Sequence, residues 1–244
     1  MIQPLTSVRS IQSGLHHVNL LRGMVSYWPL TEASGTRYDA HDGKHLTVER
    51  DAGTLVGLVY PTAFKVLSKS NLKRVVDSSF NFTQTGFTLA GWIFVTATVS
   101  NLVFINGIDW NLTYTLSTNS KIRFVIGYSS PYTTLNCTNF GVIPLSTWIF
   151  LVANLDLSSR TMSVKFNDQV LDSMSCSGMT YHTGSFQLGG STVTGSTGRM
   201  GPFALWNRTL TSKEQQALYN NGLGLKYTAC TSGKGLSRAS IWTP

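Results

Sequence analysis

The densest set of groups able to do chemistry lies in one short stretch, Asp39-Ala-His-Asp-Gly-Lys-His45. Two carboxylates and two imidazoles (Asp39, His41, Asp42, His45) stand within it. Calcium takes six to eight oxygens, so a calcium ion would draw first on the carboxylates. The same spacing suits an Asx-type turn, in which an aspartate accepts hydrogen bonds from its own downstream backbone. The turn is the expected reading, with Asp39 as the first donor should a metal bind.

Glycoside hydrolysis needs two carboxylates facing each other across the scissile bond. A strand supplies such a set at i, i+2 or i, i+4, on one face. Glu214 is the only glutamate beyond Asp51, and Asp168 and Asp172 flank a turn. HExxH, GxSxG and phosphate-cradling Gly-Lys-Ser/Thr patterns are absent. Cys176 and His182 lack the spacing of a nucleophilic dyad. The chain is expected to be non-catalytic.

Binding of sugars asks for less: aromatic faces laid on the rings, and polar groups fixing the hydroxyls. Trp110, Tyr114, Tyr128 and Tyr132 lie on or beside the strands and loops of mid-chain and are the glycan-binding candidates. Trp28, Trp92, Trp148 and Trp206 stand inside apolar strands and are expected in the core.

Charge narrows the partners. Charged residues make up 12% of the 244, with a net charge of +8, which favours acidic surfaces: anionic glycans or a neighbouring subunit. The densest basic run is Lys65, Lys69, Lys73, Arg74. No arginine-rich arm or nucleic-acid motif accompanies it, so nucleic acid is not the expected partner. The three cysteines, Cys137, Cys176 and Cys230, lack zinc-site spacing, and the sequence does not choose a pair among them. The residues up to Met24 have no continuous apolar core, so neither an export signal nor a membrane span is expected there.

The elements that must position these groups are mostly strands. Short β-type runs recur every ten residues or so between Gly, Pro, Asn and Asp turns. Phe87-Thr-Leu-Ala-Gly-Trp-Ile-Phe-Val95 is apolar on both faces, which places it centrally in a sheet. Gly201-Pro202 calls for a bulge or a sheet edge. One helix is expected over about 212–221, with Thr211 and Glu214 as a capping box and Gly222 as its left-handed end.

Several phrases occur in an order that resembles a known family. They are Trp28-Pro-Leu30 with Ser34-Gly35 and Asp39, then Phe87-Thr-Leu-x-x-Trp92, then Trp148…Asp156 with Val164-x-Phe-Asn167. The last is Leu205-Trp-Asn-Arg-Thr-Leu210 leading to Leu218-Tyr-Asn-x-Gly222. Together, over about residues 24–226, they look like laminin-G-like domains of the concanavalin A-like lectin/glucanase superfamily. The resemblance implies an all-β, two-sheet antiparallel jelly-roll sandwich with one short C-terminal helix. It also implies a calcium site built from an aspartate in the first hairpin and oxygens near the last strand. Pro202-Phe203 stands where many relatives carry an acidic residue, which removes one of those ligands.

The expected organisation is a jelly roll at 24–227 between an N-terminal arm, 1–23, and a C-terminal arm, 228–244. The arms lack the apolar periodicity to fold alone. Arg9, Arg22, Lys234 and Arg238 are expected to meet acidic surfaces of other subunits, with Trp242 docking as an apolar anchor. Such a protein fits the surface of a bacteriophage virion, as a decoration or attachment protein touching host glycans. The alternative is a free glycan-binding lectin module, extracellular or on a cell surface.

Overall fold

The doubly apolar Phe87–Ala97 strand lies where its composition requires, between two neighbours in a sheet. In this computed structural model the described residues are 19–50, 53–67, 70–97, 102–106, 110–115, 121–126, 133–136, 144–176, 184–189, 197–229 and 240–243. Phe87–Ala97 pairs antiparallel with Trp148–Asp156 on one side and Thr197–Trp206 on the other. The eight-stranded sheet continues outward through Thr161–Phe166 to Asp172–Ser175, and through Thr62–Val66 to Thr54–Val56.

Thr197–Trp206 changes partner along its length. Gly198 to Met200 pair with Val66 to Phe64, whereas Phe203 to Trp206 pair with Met24–Trp28. The switch falls at a bulge between Met200 and Phe203, where Pro202 has no N–H to give a ladder.

A seven-stranded antiparallel sheet faces the first. Its order is Thr133–Asn136, Lys121–Ile126, Trp110–Thr115, Leu102–Asn106, Ser185–Gly189, Asn71–Val75 and Thr47–Val48. Side chains from both sheets interlock between them: Phe87 lies edge-on to Phe124 at 6.2 Å, and Trp28 stacks on Phe186 at 5.2 Å. The all-β antiparallel sandwich with one short helix is the architecture expected. Thr133–Asn136 and Asp172–Ser175 are strands the composition did not announce.

The eight-stranded sheet is covered on its outer face as well. Ala90, Trp92, Phe150, Val152, Ala204 and Trp206 form a second apolar layer there, against Leu218, Leu225 and Tyr227. The helix Ser212–Tyr219 supplies Leu218 and is too short to be stable except on such a layer. Its capping box is formed, with the Thr211 hydroxyl accepting from the Glu214 N–H and the Glu214 carboxylate accepting from the Thr211 N–H. It ends earlier than expected, on Asn220 in the left-handed region (φ 46°), because asparagine tolerates that conformation as glycine does.

Both flanking segments contribute to this layer. Leu20 is buried, and its carbonyl accepts from the Trp206 indole N–H at 2.7 Å. Arg208 donates to the carbonyls of Arg22 and Asn19 and forks onto Glu214. Arg22 itself is exposed. At the other end Ser240–Thr243 pairs with Lys226–Ala229, and Trp242 lies edge-on to Tyr27 at 5.4 Å and Tyr227 at 5.2 Å. The tryptophan expected to dock on another chain is therefore engaged within its own. Among the described residues the apolar packing takes in Leu20, four residues ahead of the Met24 boundary, and Trp242 from the C-terminal arm. Arg9, Lys234 and Arg238 lie outside the described residues.

Candidate functional site

Asp39 decides the character of the ligand-dense loop. It is buried, and its carboxylate accepts four backbone hydrogen bonds. Oδ1 takes the N–H groups of Tyr27 (2.9 Å) and His41 (2.8 Å), and Oδ2 those of Asp42 (3.3 Å) and Lys44 (2.9 Å). A carboxylate offers about four lone-pair sites, so these are filled. The two histidines are committed too: His45 Nδ1 accepts the Asp39 N–H, and His41 Nδ1 meets the Tyr227 hydroxyl at 2.9 Å. The Lys44 ammonium pairs with Asp42, and the Trp28 indole donates to the Lys44 carbonyl at 2.7 Å, tying the loop to the core. Among the described residues no cluster of three metal-ligating side chains forms. The donor set does not fit calcium; it is an Asx-type turn that orders the first hairpin.

A thermal test follows. A ligand at a hundred times its dissociation constant adds about 2.7 kcal/mol. Melting in excess calcium and in excess chelator is expected to coincide; a chelator-induced drop of several degrees would reinstate the metal.

The other described carboxylates are mostly occupied by structure. Glu214 serves the helix cap and the Arg208 fork; burial opposes its ionisation, but the guanidinium and the Thr211 N–H and hydroxyl outweigh that and hold its carboxyl below the usual range. Asp156 caps the turn at Ser158 and Ser159, and Glu49 pairs with Lys73. Asp77 accepts from Ser79, whose hydroxyl does most to hold its carboxyl at about 2, with Arg74 assisting. Because the folded value lies below the ordinary 3.8, this stabilisation is full above pH 4 and fades as pH falls towards 2. Asp77→Asn is expected to flatten that part of the stability–pH curve in urea unfolding. The group is exposed, so the change should be about 1 kcal/mol or less.

Two of the four glycan candidates fall on a described strand. Trp110 and Tyr114 fall on the Trp110–Thr115 strand, in register with Ile126 and Ile122. Tyr128 and Tyr132 lie outside the described residues.

Outward-facing aromatics occur elsewhere, on the eight-stranded sheet. Register places Lys65, Arg199, Phe94 and Trp148 in one cross-strand row over four adjacent strands. All four are half-buried. The Arg199 guanidinium lies over the Phe94 ring, 4.6 Å from its centroid, and donates to the Val56 carbonyl at 2.9 Å. Phe94 in turn meets Trp148 at 5.3 Å, tilted by 59°. Trp148 was expected in the core beside Trp92 and Trp206, which are buried. It begins its strand beyond the reach of the helix, so its ring stays partly open. Gly201 lies beside it: a Cβ there would be in ordinary contact with the indole at 3.5 Å, and tight against Trp92 Cβ at 3.0 Å. Beside the row the hydroxyls of Thr96 and Thr197, both on the surface, meet at 2.7 Å.

The sequence offered one signal for this row, the alternation that puts Phe94 and Thr96 on the side opposite Ile93 and Val95. Which residues stand across from them is a matter of long-range register. Under the helix a cavity of about 20 Å³, lined by Trp92, Phe150, Leu218, Leu225 and Trp242, has room for no more than a water.

Solved structures share this sandwich. The binding domain of botulinum neurotoxin DC, solved in complex with SialylT, superposes with a TM-score of 0.65 at 12% identity, over 81% of this chain and 51% of that one. The botulinum neurotoxin serotype D binding domain gives 0.64 at 13%, over the same shares. Trypanosoma rangeli sialidase gives 0.60 at 16%, over 83% of this chain and 34% of that one. The chain thus spans about half the length of the neurotoxin binding domains and a third of the sialidase. At such identities the likeness shows the fold alone, a two-sheet β-sandwich. No protein-family model matches the sequence, and no curated protein matches it either.

Proposed function

We propose that this is a non-catalytic glycan-binding protein, a lectin-like sandwich of the laminin-G-like type. One observation carries the reading: the Arg199–Phe94–Trp148 row leaves an aromatic and cationic surface partly open on the outer face of the eight-stranded sheet. Aromatic faces bind the C–H side of a sugar ring, and fixed polar groups orient its hydroxyls. That neurotoxin binding domains with this fold were solved with SialylT and with rat synaptotagmin II lends support to recognition as the role. The sialidase among the structural relatives makes hydrolysis the reading to test against.

The protein acts at a surface, and the virion exterior of a bacteriophage is the setting the sequence suggests. The net positive charge suits acidic subunits or glycans there. A free extracellular lectin is the second setting. Glycan-array binding of the full chain, with hydrolysis of sialosides and β-glucans assayed alongside, tests the reading. Binding without product release is expected, and Trp148→Ala should remove it. An array without signal, or turnover abolished by one Asp→Asn change, would overturn it.

A further inference from the structure

We infer that the sugar recognised by this row carries a carboxylate, seated between Arg199 and Lys65, with its ring against Trp148. The inference rests on the glycan-binding reading and names the ligand class.

Charge pairing is the first argument. Four of the described cations have carboxylate partners: Lys44 with Asp42, Lys73 with Glu49, Arg74 with Asp77, Arg208 with Glu214. Lys65 and Arg199 have none among the described residues. They are also direct cross-strand partners. Like charges set opposite each other on a sheet face repel and destabilise it. An anion held between them removes the repulsion, so this pair is suited to a negative ligand.

Geometry is the second. The Arg199 guanidinium is fixed before any ligand arrives, by the Val56 carbonyl on one side and the Phe94 ring beneath it. A positioned guanidinium presents a planar fork, which matches a carboxylate through two parallel hydrogen bonds. Because the side chain is already ordered, little entropy is lost on binding. Trp148, two strands away in the same row, offers its partly open ring to the sugar. The Thr96 and Thr197 hydroxyls lie at the flank for ring hydroxyls. The chemistry is shared by nonulosonic acids such as N-acetylneuraminic acid and by uronic acids such as glucuronic acid.

The test uses the full chain and titration calorimetry. Four ligands are compared: the methyl glycosides of N-acetylneuraminic acid and of glucuronic acid, and the methyl ester of each. At least one acid is expected to bind about tenfold more tightly than its ester, and the preferred acid distinguishes the two sources. The preference should weaken with added salt and vanish in Arg199→Gln and in Lys65→Glu. Lys65→Glu changes an outward side chain and guards against the case in which Arg199→Gln disturbs the sheet; thermal melting checks both. Trp148→Ala should remove acid and ester binding alike. Equal affinity for acid and ester, or a preference that survives both charge variants, overturns the inference while the glycan-binding reading stands. Binding of none of the four sugars, together with an array without signal, brings down both.

Discussion

Asp39→Ala is expected to destabilise the fold by about 4 kcal/mol or more, because four backbone N–H groups lose their acceptor at once. Each buried donor left without a partner costs about 1–3 kcal/mol, and water admitted to the hole returns part of it. Two of the four, Tyr27 and Lys44, belong to segments the carboxylate joins. The loss therefore reaches beyond the loop: Met24–Trp28 would lose its hold on the hairpin that the Trp28 indole also grips. Against a typical domain stability of about 5–15 kcal/mol, such a change takes most of the margin. Asp39→Asn retains the shape but turns an N–H₂ towards two donors, so about half the effect should remain. Asp168→Ala, an exposed turn residue, serves as control and should stay within about 0.5 kcal/mol. Urea unfolding measures all three. An Asp39→Asn variant as stable as the control would show that the carboxylate organises nothing.

How far the sequence could be read follows from the range of the interactions involved. Local signals were legible. Thr211 and Glu214 are three residues apart and form the cap their spacing implies. Gly201-Pro202 marks a bulge, and Asp39 with its downstream N–H groups makes the turn that Asx chemistry favours. The two-sided apolarity of Phe87 to Val95 correctly implied a central strand, since a sheet covered on both faces needs apolar residues on both.

What failed was whatever depends on partners distant in sequence. Trp148 has an apolar strand behind it, and nothing nearby tells that the helix stops short of its ring. Lys65 and Arg199 are 134 positions apart and become neighbours only through pairing of the strands that carry them. Trp242, in a polar and basic segment, gave no hint that Tyr27 and Tyr227 would receive it. The candidate site was thus nearly invisible in the sequence, although each of its residues was in plain view.

The second large effect concerns a glycine in that central strand. Gly91 stands opposite Phe203, and a Cβ on it would come within 2.3 to 2.5 Å of three atoms of the Phe203 ring. That ring is completely buried and lies in the inter-sheet core. It has no open space to swing into, and the two strands are locked by their ladders on either side of the pair. Gly91→Ala is therefore expected to cost about 3 kcal/mol or more, at the upper end of overpacking penalties, although alanine is otherwise the better strand residue. Phe203→Leu alone should cost roughly 1–2 kcal/mol through the space it leaves. The two changes together make the decisive measurement. Leucine lacks the ring atoms that clash, so the double variant should be more stable than the sum of the single losses predicts by about 1–3 kcal/mol, the range found for residues in direct contact. Simple additivity would mean that the glycine serves the backbone rather than the ring. Coupling would give the small residue within Phe-Thr-Leu-x-x-Trp its physical reason: it is the seat of a phenylalanine that arrives from the strand opposite.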